Sequence, residues 1–167
     1  MRRVITGRLP VADLDAMEQG AAVDLLLEVC SSPAWAEAVV AGRPYGDAGT
    51  LLAAAGTALA RLGDRDVLAA LAGHPRIGAP VEGESAREQG AVGAAAEDVR
   101  AALAEGNRTY ERRFGHVYLV RAAGREPDEL LALLRRRLDN DPATEWSVVR
   151  RELAEITRLR LERMVLP

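Results

Sequence analysis

The 167-residue chain contains no lysine: all 22 of its basic residues are arginine. A Schiff base needs a lysine amine, so pyridoxal-phosphate and imine-forming aldolase chemistries are excluded. The phosphate-gripping lysine of a P-loop is missing for the same reason. Cys30 is the only cysteine, so no intrachain disulfide and no CxxC pair can form. Histidine occurs twice, at His74 and His116, which rules out a three-histidine zinc site, and no HExxH pattern is present. What remains is a cofactor-independent mechanism, a weak carboxylate metal site, or no catalysis. We expect no cofactor and no metal.

Other absences narrow the setting. No apolar run approaches the ~18 residues of a membrane span. Met1-Arg2-Arg3-Val4-Ile5-Thr6 does not lead into a signal-peptide core, and Val165-Leu166-Pro167 is not a peroxisomal tripeptide. The expected location is the reducing cytoplasm. The net charge of −3 gives no electrostatic case for nucleic acid or a membrane surface as partner. Abundant Ala, Gly and Arg without Lys fits a GC-rich bacterial coding sequence.

What is present is helical periodicity around an apolar content of 49%. The expected fold is all-α, a single domain over residues 1–167 with about eight helices. Residues 14–29 read as one or two short helices broken near Gly20. Ser32-Pro33 is an N-cap followed by proline in the first turn, opening a helix to residue 40. Residues 47–62 form a long Ala/Leu helix, and Asp64 caps a shorter one ending at Gly73. Residues 75–83, with two prolines and two glycines, read as a loop. Residues 85–105 read as one helix, and Asn107 as the cap of another to residue 114. Residues 117–120 are β-prone but too few to imply a sheet. The last helices span 127–138 and the stretch opened by Asp141-Pro142.

Polar residues on apolar faces carry the functional signal. On a continuous 85–105 helix, Ser85, Glu88 and Gln89 share the face of Val92, Ala96, Val99 and Leu103. Taken alone, Ser85 and Glu88 read better as a capping box, which leaves Gln89 unexplained. On the last helix Val149, Leu153 and Ile156 mark the inward stripe, and Arg160 falls within it while Arg158 faces solvent. A buried guanidinium requires a carboxylate or an anionic ligand, whether as a structural ion pair or a binding site. His74 follows Gly73 and precedes Pro75, which holds it extended on a stiff loop; a surface histidine is the plainer alternative. Trp35 and Trp146 read as core or interface anchors. The run Arg135-Arg136-Arg137 splays around its helix and reads as a solvated face.

Four segments occur in order: His74-Pro75-Arg76-Ile77-Gly78, Ser85-Ala86-Arg87-Glu88-Gln89, Asn107-Arg108-Thr109-Tyr110-Glu111-Arg112-Arg113-Phe114-Gly115, and Ile156-Thr157-Arg158-Leu159-Arg160-Leu161. Together they resemble the OHCU decarboxylase family, bacterial-type members included, whose substrate is 2-oxo-4-hydroxy-4-carboxy-5-ureidoimidazoline. Ser32-Pro33-Ala34-Trp35 and Gly42-Arg43-Pro44-Tyr45 also resemble its N-terminal part. The resemblance implies cofactor-free decarboxylation to (S)-allantoin in uric acid degradation, by a carboxy-lyase that forms a homodimer. It implies His74, Glu88 and Arg160 as catalytic residues. It implies Pro75, Ser85 and Gln89 beside the substrate, with backbone contacts from Tyr118, Leu119, Val120, Arg121 and Ala122. Many members read Phe-Gly-Phe-Pro-Phe where this chain has Phe114-Gly115-His116-Val117-Tyr118, which leaves open an entry of His116 into the site. Two alternatives compete: another ureide-processing lyase or hydrolase on the same scaffold, and a non-catalytic helical binding domain.

Overall fold

The computed structural model describes residues 7–79, 83–93 and 96–167. The first six residues, residues 80–82 of the expected 75–83 loop and residues 94–95 of the expected 85–105 helix lie outside this description. Ten helices occur among the described residues, and no strand: α1 Val11–Ala16, α2 Gln19–Val29, α3 Pro33–Ala41, α4 Ala48–Ala60, α5 Asp64–Ala72, α6 Gly83–Glu88, α7 Gly90–Gly93, α8 Glu97–Phe114, α9 Pro127–Leu138 and α10 Pro142–Met164. The chain divides into two compact units. One runs to Ala70 and resumes at Ala154; the other is Leu71–Leu153.

In the first unit, side-chain caps set the helix starts. Ser32 Oγ accepts the Trp35 N–H at 3.2 Å, with Pro33 in the first turn of α3. Asp47 accepts the Thr50 N–H at 2.8 Å and opens α4. Trp35 is fully buried, and its indole N–H donates to Ala55 O at 3.0 Å, so its one polar atom is satisfied inside the core. Leu14, Leu26, Leu51 and Leu161 complete this core. Arg43 donates to Leu14 O, Met17 O and Val40 O, while Asp15 accepts the N–H groups of Tyr45 and Gly46. The Gly42–Tyr45 stretch is therefore a clamp on the α1–α2 connection. An isolated parallel bridge joins Leu9 to Val165.

In the second unit the core gathers Leu103, Tyr110, Tyr118, Val120, Leu130 and Leu134, with Ile77 and Val92 joined to it. Residues 117–122 belong to no helix or strand, as their brevity predicts. Side chains supply the missing backbone bonds: Arg137 donates to Leu119 O at 2.6 Å, and Glu152 accepts the Arg121 N–H at 2.8 Å. Arg137 in turn pairs with Glu145, which also accepts from Tyr110 Oη and from Asn140 Nδ2.

Three expectations need correction. The expected 85–105 helix is broken: α6 ends at Glu88, α7 is four residues long, and Ala96 is extended with ψ of 147° before α8 begins. The interruption between α6 and α7 is the single residue Gln89, whose side chain is committed to the Gly78 N–H, and the glycines at 90 and 93 are weak helix formers. Asn107 caps nothing; it is buried inside the continuous α8. Arg137 is not solvated. It lies one turn beyond Leu134 on the buried stripe of α9 and is only 6% exposed, because Glu145 supplies a counter-charge. Arg135 and Arg136 do face solvent.

Candidate active site

His74 lies just past α5, half-buried, with its N–H donating to Leu71 O at 3.0 Å as that helix ends. The next residues form a turn that closes on Gly78, whose φ of +88° suits glycine and strains any residue with a Cβ. That requirement gives the final glycine of His-Pro-x-x-Gly a physical reason. Three side chains hold the turn. Arg76 meets Glu111 in a two-bond fork at 2.6 and 2.9 Å. Asn107 Nδ2 donates to Ile77 O at 2.9 Å. Gln89 Oε1 accepts the Gly78 N–H, also at 2.9 Å.

Ser85 and Glu88 stand on α6, both half-buried, and Gln89 follows immediately at 7% exposure. Because α6 starts at Gly83, Ser85 lies within the helix rather than at its N-cap. Gln89 is turned inward as expected, although the helix on which it was counted stops one residue earlier. Its carbonyl oxygen is committed to the histidine turn. The structure thus ties Gln89 to the segment bearing His74 and Pro75, and carries Ser85 and Glu88 on the helix leading into it.

The expected backbone contacts at 118–122 belong to the same unit. Tyr118, Leu119, Val120 and Ala122 are buried, and Arg121 is half-buried. The Tyr118 hydroxyl donates to Leu130 O at 3.2 Å; burial pushes its pKa well up, so it stays a donor. Gly115 caps α8 with φ of +78°, which explains the glycine after Phe114. His116 packs in a ring cluster with Tyr110, Phe114 and Trp146, and its Nδ1 lies 3.1 Å from Val117 O.

Arg160 lies in the first unit, on the inward stripe of α10 that the sequence identifies. It is 9% exposed, and Val149, Leu153 and Ile156 are buried along the same stripe. Its Nη1 donates to Val29 O at 3.3 Å, a long bond. Burial pushes the Cys30 thiol up. Among the described residues no group of three or more His, Cys, Asp or Glu could hold a metal ion. No described helix is long and apolar enough to cross a membrane.

Sequence reasoning did not find the side chains that support the histidine turn. Asn107 and Glu111 stand one turn apart on α8 and reach the histidine turn, but in sequence Asn107 reads as a helix cap and Glu111 only as one letter of the Asn107–Gly115 segment. Asn inside an apolar helix face was the available signal.

The profile of the OHCU decarboxylase family matches residues 15–162. The chain is 26% identical over 158 residues to a 2-oxo-4-hydroxy-4-carboxy-5-ureidoimidazoline decarboxylase from Haloferax volcanii, covering 92% of this chain and 94% of that protein. It is 36% identical over 62 residues to the uric acid degradation bifunctional protein TTL of Arabidopsis thaliana, a match spanning only 19% of that longer protein. Among solved structures, an OHCU decarboxylase crystallised in the presence of (S)-allantoin superposes with a TM-score of 0.76 at 26% identity, covering 83% of this chain and 94% of that one. An (S)-allantoin synthase shares the fold, with a TM-score of 0.71 at 18% identity over 94% of this chain and 54% of the other. The chain belongs to the OHCU decarboxylase family.

Proposed function

We propose that this chain decarboxylates OHCU to (S)-allantoin in uric acid degradation, using His74, Glu88 and Arg160 as catalytic residues and no cofactor. The observation that carries the reading is the family match over residues 15–162, which includes every one of these side chains. The half-buried His74 on its anchored turn supports it.

The substrate brings its own electron sink. The carbon bearing the hydroxyl and carboxylate adjoins a ring carbon in a C=N bond that also carries the ureido group. When the bond to the carboxylate breaks, CO₂ leaves and its electron pair forms a C=C bond to that neighbour. The C=N pair moves onto nitrogen, which takes a proton. Protonation of the ureido-bearing carbon and loss of the hydroxyl proton then give the ring-amide carbonyl tautomer, allantoin. The net change is uptake of one proton and release of CO₂.

A lysine-free protein suits this chemistry, because the enzyme has only to orient charge and deliver a proton. Arg160 offers a planar guanidinium for the carboxylate or the polar ring edge. Ser85 and the amide end of Gln89 read ureido and ring groups, with Pro75 and the 118–122 backbone closing around them. Glu88 orients the imidazole of His74, which acts as general acid or base and selects one face for protonation. By family resemblance the working form is a homodimer, and the lone buried Cys30 suits a reducing cytoplasm.

The test is kinetic. His74→Asn, assayed on freshly generated OHCU, is expected to lower the enzymatic rate by about 10²–10⁴-fold. A variant that produced (S)-allantoin at the wild-type rate would remove His74 from the mechanism.

A further inference from the structure

We propose that α8 positions the histidine-bearing turn for the reaction, through Asn107 and, one helical turn later, Glu111. The inference rests on the reading above in one respect: it takes His74 to be the proton-handling group.

Asn107 is only 2% exposed in the middle of an 18-residue helix. Asparagine is a poor choice there, since its amide competes with the helix backbone and must be satisfied when buried. It satisfies itself only in part. Nδ2 donates to Ile77 O, while Oδ1 has no hydrogen-bond partner. Packing against the surrounding core would be served better by leucine. The polar atom is retained for one bond, and that bond goes to a turn carbonyl three residues after His74.

Glu111 lies on the same face of α8, since residues four apart stack on a helix. It grips Arg76 through Nε and Nη2. With Gln89 on Gly78, residues 76, 77 and 78 are each held by a side chain from outside the turn. Pro75 limits the backbone of His74 itself. A turn fastened at three consecutive residues fixes the imidazole relative to the substrate, and geometry at this level governs rate: a misplacement near 1 Å can lower it ~10²-fold. Asn107 and Glu111 touch no reacting atom in this account. They are positioning residues.

The two fasteners differ usefully in exposure. The Arg76 and Glu111 side chains are 62% and 26% exposed, so their pair can be broken without opening the core. The experiment uses the full chain as wild type, Asn107→Ala, Glu111→Gln and the charge-swapped pair Arg76→Glu with Glu111→Arg. Glu97→Gln serves as a control, because it breaks an exposed ion pair with Arg100 on the same helix and reaches no turn. Two readouts are taken: kcat and KM on OHCU, and the NMR signals of the two imidazoles. With only His74 and His116 in the chain, each signal is assignable, and His116 in its ring cluster serves as an internal reference.

Glu111→Gln is expected to lower kcat about 3- to 10-fold and Asn107→Ala about 10- to 100-fold, with KM changing less than about threefold. Both variants shift the His74 signal and leave that of His116 in place. The swapped pair restores kcat to within about threefold, and Glu97→Gln matches wild type. Wild-type kcat in both variants, or lost activity with an unmoved His74 signal, overturns the proposal. If Asn107→Ala does not fold, Glu111→Gln and the swapped pair decide. If wild type itself does not turn over OHCU, the functional reading fails, and the imidazole signals alone decide whether α8 positions the turn.

Discussion

Replacing Glu145 by alanine is expected to be among the most destabilising single changes in the chain. Glu145 is completely buried. One of its oxygens takes Arg137 Nε at 2.7 Å and the Tyr110 hydroxyl, and the other takes Asn140 Nδ2 at 2.9 Å. Burial, and then the bond to Glu145, push the Tyr110 pKa well up, so its hydroxyl remains a donor. Removing the carboxylate leaves the 6%-exposed Arg137 guanidinium without its counter-charge. Breaking a buried pair from one side costs about 3–5 kcal/mol. For a chain of this length, each kcal/mol lowers Tm by roughly 2–4 °C, giving a fall of about 6–20 °C. Glu145→Gln keeps one acceptor oxygen for Arg137 and Tyr110 but loses the charge and the oxygen that accepts from Asn140, so it should fall between wild type and Glu145→Ala. Arg137→Met with Glu145→Leu removes both charges and should recover part of the loss, because two desolvated ions are replaced by apolar contacts. Circular dichroism at 222 nm during heating reads all four proteins. A Glu145→Ala protein melting within about 2 °C of wild type would refute the reasoning.

Two further predictions concern helix ends. Gly115→Ala forces a Cβ into the left-handed region at φ of +78° and should cost about 1–2 kcal/mol, read as a Tm lower by about 2–8 °C; an unchanged Tm would contradict it. Asp47 and Asp141 have pKa values lowered below 3.8, by N–H and hydroxyl bonds from Thr50 and Thr144 respectively. A lowered folded-state pKa gives stability that is complete above the unfolded value and is lost as pH falls through the folded one. Asparagine caps as well as aspartate but does not titrate. The double variant Asp47→Asn, Asp141→Asn should therefore match wild-type Tm at pH 7 and lose less of it between pH 5 and 2.5; an equal acid loss would contradict the sign.

The local features were legible because they are local. Ser32-Pro33, Asp47 and Asp141 announce helix starts within one turn, and the structure shows each accepting the N–H three residues on. Arg160 was legible from periodicity, since α10 is long enough for its stripe to hold register. Glycines 78 and 115 were legible as motif letters, and only the backbone shows the positive φ that requires them. Asn107, Gln89 and Arg137 were misplaced or incompletely read for one shared reason. Each makes its decisive bond to a residue 8 to 30 positions away that no local pattern announces. Periodicity reports which face a residue occupies, and does not report the partner that makes a buried polar group tolerable there.

The most direct test is stereochemical. OHCU is generated in solution from urate by uricase and hydroxyisourate hydrolase, this protein is added with a chelator present, and circular dichroism follows allantoin. The account predicts a rapid rise of the (S) signal, far ahead of the protein-free control and unaffected by the chelator. A racemic product appearing at the rate of the control would contradict it.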